Sequence, residues 1–134
     1  MNQLERLILQ IGKENVEKIK NTVVAIIGLG GVGGYALESI IRSGIGTIII
    51  IDNDIIDITN LNRQLISTHQ NIGQSKVDAW EERIKMINPD CKVIKIKEFI
   101  TKDNLPIIFQ NKINYFIDAC DTVSTKKEII KECA

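Results

Sequence analysis

The stretch that decides the fold is TVVAIIGLGGVGGYALESIIRSGIGTIIIID, Thr22 to Asp52. Its two ends, Thr22–Gly28 and Thr47–Asp52, are runs of β-branched residues without polar alternation, the pattern of parallel strands covered on both faces. Between them, GVGGYALESIIRSG (31–44) places Val32, Ala36, Ile40 and Ile41 at helical spacing and stops at Gly44. The stretch therefore predicts a β-α-β unit. Its first turn, Gly28-Leu29-Gly30-Gly31-Val32-Gly33, fits GxGxxG directly after a strand and at a helix start, where glycines let backbone N–H groups close on phosphates. Asp52 follows Gly33 by 19 residues, at the end of the second strand, where a carboxylate can accept hydrogen bonds from ribose hydroxyls. These features name a nucleotide but leave its chemistry open.

Outward from this unit the alternation continues. A helix is expected from near Gly73 through SKVDAWEERIKMI, ending before Pro89, because a residue preceding proline disfavours the α region. KVIKIKEF (92–99) alternates lysine with apolar residues, as an edge strand with one wet face does. NYFIDA (114–119) predicts a fourth strand, and DTVSTKKEIIKECA (121–134) opens a further helix. Strands alternating with helices predict an α/β fold, a doubly wound Rossmann-like parallel sheet with helices on both faces and spatial order third, second, first, fourth. The 134 residues make one domain: residues 1–21 form two short helices and 22–134 the core.

Composition narrows the function classes. Lys plus Arg and Asp plus Glu both number 17, so no global field draws nucleic acid or a membrane surface, and an anionic partner must be met by a local patch. The lysines at 92, 95, 97 and 102 form a cluster that reads as a solvated strand face or a docking patch. The N-terminal segment carries charges through its apolar positions and lacks a small-residue cleavage site, so it reads as neither a signal peptide nor a membrane span. Three cysteines, Cys91, Cys120 and Cys133, without a CxxC pair, predict reduced thiols of a cytoplasmic protein rather than a disulfide scaffold or a zinc site. Cys120 reads as an inert strand-end thiol, His69 as a solvated loop residue, and Trp80 as helix packing.

The cations downstream of the glycine turn separate a redox site from an ATP site. A site that transfers an adenylyl group must neutralise charge building on departing pyrophosphate, which calls for fixed Lys or Arg. Arg63 follows Asp52 by eleven residues and Lys76 by thirteen more, close enough for a loop and a helix start to bring both back over phosphates. Asp121, just beyond the fourth strand, falls at the carboxyl edge of the sheet, where it could hold a Mg²⁺.

GLGGVGGYALESIIRSGIGTIIIIDNDIIDITNLNRQ, followed by GQSK and INP, resembles the adenylating domain of the ThiF/MoeB and ubiquitin-activating superfamily over nearly the whole chain. The resemblance implies an ATP and Mg²⁺ site made of Gly28, Gly30, Gly31 and Gly33, Asp52, Asn60 with Arg63, Lys76 and Asp121. It also implies a homodimer in which Arg6 of one copy completes the other's site. Within the superfamily, LILQIGKENVEKIKN, RSGIG and DACDTVSTKKEII resemble the branch that adenylates and cyclises the threonylcarbamoyl group of a tRNA adenosine, so tRNA is the implied substrate. Members that activate ubiquitin-like sulfur carriers, the alternative partners, usually carry Asp-Asn where this chain has Asp121-Thr122. Family members also continue past the fourth strand, so this sequence reads as truncated on its C-terminal side.

Overall fold

The computed structural model describes residues 3–101 and 103–119; Lys102, Cys120, Asp121 and the expected last helix lie outside them. Two short helices come first, α1 (Glu5–Ile11) and α2 (Lys13–Lys20), separated by Gly12 at φ 89°. Then follow β1 (Val23–Ile27), α3 (Gly31–Arg42), β2 (Thr47–Ile51), α4 (Lys76–Ile87), β3 (Lys92–Ile96) and β4 (Tyr115–Asp118). The expected alternation holds except before β4. There a short 3-10 segment, Leu105–Gln110, takes the place of an α-helix, with Pro106 in its first turn.

The four strands form one parallel sheet in the order β3-β2-β1-β4, as the sequence predicts. Val23 pairs with Thr47 and Thr47 with Lys92, while Val24 pairs with Tyr115 across the other side of β1. Strand residues alternate between two cores. Val24, Ile26, Ile48 and Ile50 pack with Leu37 and Ile41 of α3 and Trp80 and Ile84 of α4. Ala25, Ile27, Ile49 and Ile51 face the opposite way, toward Ile100, Leu105 and Ile108. Burial of both faces explains the unbroken isoleucine runs.

The buried line of α3 keeps the expected Ile41 but differs at its start. Val32 is 81% exposed, whereas Gly33, Gly34, Leu37 and Ile41 face the sheet. The reason is steric: a Cβ on Gly33 would lie 1.8 Å from the Gly28 carbonyl oxygen, so only a glycine can face the turn at this approach. Helix α4 starts at Lys76, three residues later than expected, because Gly73 at φ 89° and an antiparallel bridge between Ile55 and Ser75 occupy the approach. The Ser75 side chain caps it by accepting from the Asp78 N–H, and Trp80 is fully buried beside Gly34, as a packing residue should be. None of the helices among the described residues is long and apolar enough to cross a membrane.

Candidate functional site

A doubly wound sheet leaves a crevice outside the carboxyl ends of its strands where the strand order reverses, here between β1 and β4. A cavity of about 380 Å³ opens there. Its walls include Gly28 and Gly30 from the turn after β1, Asp52 and Asp54 after β2, Asn60, Arg63 and Gln64 from the following loop, and Lys76 at the start of α4.

The glycines divide the work. Gly28 adopts φ 88°, a region costly for other residues, and its N–H donates to Ile51 O, tying the turn to β2. Gly30 faces the cavity, with Gln64 Nε2 3.7 Å from where a Cβ would sit. Gly33 is needed for close packing, while at Gly31 the nearest atom a Cβ would meet is Arg63 O at 4.0 Å. Gly31 and Gly33 are not among the cavity-lining residues. The first bond within α3 runs from Gly34 N–H to Gly30 O, which leaves the preceding N–H groups at the helix end for an anion.

Asp52 is oriented before any ligand arrives. Its Oδ2 accepts from Leu29 N–H at 2.8 Å and its Oδ1 from Asp54 N–H at 2.8 Å. Each oxygen keeps a lone pair for a hydroxyl, so the expected ribose role stays available. The loop after β2 is built on a 3-10 turn, Ile58–Asn60: Asp57 accepts from Thr59 N–H, and Asn60 Oδ1 accepts from Asp57 N–H at 2.8 Å. This reciprocal cap fixes Asn60, 8% exposed, and carries Arg63 to the cavity mouth. Arg63 is exposed, its Nη1 donating to Thr59 O at 2.9 Å and Asn62 Oδ1 at 3.1 Å. Lys76 is only 4% exposed, with its Nζ 3.6 Å from Asp54 Oδ2.

The structure thus brings together Gly28, Gly30, Asp52, Asn60, Arg63 and Lys76. Arg6 is exposed on α1 and is not among the residues lining the cavity of its own chain, and Asp121 lies outside the described residues. Neither Asp54 nor Gln64 was among the site residues expected from the sequence; the buried Oε1 of Gln64 has no hydrogen-bond partner among the described residues. Glu98, Phe99 and Ile100 after β3 and Ala119 after β4 also line the cavity. The rule that ligands sit at strand carboxyl ends could have found these last four; nothing local singles out Gln64.

The remaining candidates separate cleanly. Lys95 and Lys97 bond Asp78 at 2.8 and 2.6 Å, and Lys95 also reaches Glu81 at 3.1 Å, so these two read as a neutralised strand face rather than a docking patch. Burial pushes the Cys91 thiol up to about 11, leaving it protonated and unreactive at neutral pH. His69 is an exposed loop residue. No group of three or more His, Cys, Asp or Glu among the described residues could hold a metal. The cavity's carboxylates are engaged, Asp52 by backbone N–H groups, Asp54 by Lys76 and Glu98 by Asn104 Nδ2, so they do not form a metal cage by themselves. A Mg²⁺ carried on phosphates needs only one or two carboxylates in addition to phosphate oxygens.

A doubly wound sheet with a glycine turn, an oriented acid and two cations around one crevice defines an α/β domain suited to a phosphorylated nucleotide. The chain belongs to the ThiF family, whose model matches residues 4–134. The tRNA threonylcarbamoyladenosine dehydratase of Bacillus subtilis (strain 168) is 46% identical over 133 residues, 99% of this chain and 52% of that protein. The crystal structure of the E. coli tRNA N6-threonylcarbamoyladenosine dehydratase in complex with ATP superposes with a TM-score of 0.94 at 34% identity, covering 98% of this chain and 54% of that one. The adenylyltransferase and sulfurtransferase UBA4 of Vanderwaltozyma polyspora is 37% identical over 86% of this chain and 26% of its own length. This chain spans about half the length of the dehydratase relatives it matches.

Proposed function

We propose that this chain is the nucleotide-binding part of an ATP-dependent enzyme that adenylates a carboxylate, the threonylcarbamoyl group of a tRNA adenosine. The observation that carries the reading is the convergence of Arg63 and Lys76 on the cavity that Gly28, Gly30 and Asp52 also line. Backbone amides suffice to hold an intact pyrophosphate; two cations suit one that departs with added charge. ATP in a relative of 34% identity and near-identical fold supports the choice of nucleotide.

In the proposed reaction a carboxylate oxygen attacks the α-phosphorus of ATP, the bond to pyrophosphate breaks, and an acyl-adenylate forms. Asp52 holds the ribose, Asn60 and Arg63 face the phosphates from the loop, and Lys76 faces them from the start of α4. The positive charge of Arg63 and Lys76 stabilises the leaving pyrophosphate more than it does bound ATP, which lowers the barrier. The modification then closes into a ring with loss of AMP, a net dehydration. A Mg²⁺ would screen the phosphates, and Asp121 is the residue we assign to it from the family pattern. We also assign a homodimer in which Arg6 reaches the other copy's site. In support, α1 buries none of its residues in the single chain and leaves Leu9 83% exposed.

The similarity to an adenylyltransferase and sulfurtransferase favours a second reading, adenylation of the C terminus of a sulfur-carrier protein. ATP–pyrophosphate exchange distinguishes the two. Exchange that depends on tRNA bearing threonylcarbamoyladenosine is the expected result. Exchange that depends instead on a small protein ending in Gly-Gly would replace the first reading with the second.

A further inference from the structure

We infer that Asp54 is a positioning residue of this site: it stands in for phosphate beside Lys76 when the cavity is empty and gives the ammonium up when the nucleotide arrives. The inference rests on the nucleotide-binding reading above and assigns a role to a residue the family pattern leaves aside. Lys76 is 4% exposed, and a cation this buried is costly without a counter-charge. Asp54 supplies one at 3.6 Å from Nζ. That separation is an ion pair without a hydrogen bond, so charge is compensated while the three ammonium donors keep their directions for incoming oxygens.

The two partners differ in the way a stand-in requires. Lys76 is buried and its position is set by the helix, whereas the Asp54 side chain is 63% exposed and stays solvated when the ammonium turns away. The backbone keeps Asp54 in place meanwhile. Its N–H donates to Asp52 Oδ1 at 2.8 Å, and its carbonyl accepts from Lys76 N–H at 3.0 Å. One residue thus links the ribose acceptor to the phosphate cation. A phosphate group offers more charge than a single carboxylate and can bond all three donors, so the exchange runs toward the nucleotide.

The test compares affinity for ATP with affinity for adenosine by calorimetry, their ratio reading the phosphate contribution. Asp54→Asn keeps the shape and both backbone bonds but removes the competing charge. The expected result is a ratio about three- to tenfold higher than wild type, with adenosine binding unchanged and Asp54→Glu close to wild type. In a Lys76→Ala background, Asp54→Asn should move the ratio by less than about twofold, because the effect acts through the ammonium. A ratio unchanged in Asp54→Asn, or ATP and adenosine weakening together, would show that Asp54 only pins the loop and would overturn the inference. An equal rise in the Lys76→Ala background would assign the effect to direct repulsion of phosphate and overturn it as well. A wild-type chain that does not bind ATP would instead remove the nucleotide reading, and the inference with it.

Discussion

Gly33→Ala and Gly31→Ala separate two glycines that the family resemblance groups together. A Cβ on Gly33 would meet Gly28 O at 1.8 Å, Gly28 C at 2.9 Å and the Ala119 Cβ at 3.2 Å. To reach even a tight contact, the start of α3 must move away from the β1 turn by about 1.2 Å, against backbone on one side and β4 on the other. Overpacking of this kind costs roughly 1–3 kcal/mol, which for a domain of this size lowers Tm by roughly 3–12 °C. The shift also displaces the amides at the head of α3 from the phosphates, and a misplacement of about 1 Å can weaken a positioned interaction by up to about a hundredfold. Gly31 has room, since the nearest atom to its Cβ is at 4.0 Å, and it has no positive φ. Alanine there should leave stability equal or raised by up to about 1 kcal/mol of helix propensity and keep ATP affinity within about threefold. The assays are urea or thermal denaturation and calorimetric titration with ATP. Wild-type stability and affinity in Gly33→Ala, or equal losses in both variants, would refute the division of roles.

Glu38 joins α3 to α4, accepting from Arg83 Nε and Nη2 at 2.7 Å each and from Arg42 at 2.8 and 3.0 Å. Because Arg42 is 57% and Arg83 31% exposed, solvent screens part of this, and Glu38→Gln should cost about 1–2 kcal/mol in urea denaturation. The same arginines, Arg83 foremost, hold the Glu38 carboxyl below its usual range, so its contribution is present at neutral pH and fades as the pH falls below about 4.5. Asp78 is held near 2, against a usual 3.8, chiefly by Lys95 and then Lys97. A depressed carboxyl stabilises above its unfolded value and loses that contribution as pH drops from about 4 to about 2. The Tm–pH curves of wild type and Asp78→Asn should therefore differ at pH 7 and converge toward pH 2; a constant offset would contradict the assignment.

The sheet was legible because its signals are local. Ile48–Ile51 and Val24–Ile27 alternate between two cores, and a strand buried on both faces needs an unbroken apolar run. The lysines of Lys92–Ile96 marked β3 as the edge where it is found. The face of α3 was misjudged because hydrophobicity nominates Val32, whereas close approach to the turn demands Gly33, and glycine carries no hydrophobic signal. In the site, Gly28 and Asp52 could be placed because each follows a strand end, Lys76 because it opens a helix, and Arg63, in the loop between, from its distance to Asp52 and the family resemblance. Asp54 and Gln64 depend on how the 52–76 loop folds back. Asp54 then meets a lysine 22 positions away, and Gln64 is buried without any mark in its neighbours.

The central claim, that the cavity holds ATP through cations aimed at its phosphates, is tested most directly by calorimetric titration of wild type and Arg63→Ala with ATP–Mg²⁺ and with NAD. Wild type should bind ATP and not NAD. Removing one charge-assisted phosphate contact should weaken ATP roughly 10- to 100-fold in Arg63→Ala without lowering its Tm. Binding of NAD in place of ATP, or an ATP affinity unchanged in Arg63→Ala, would contradict the account.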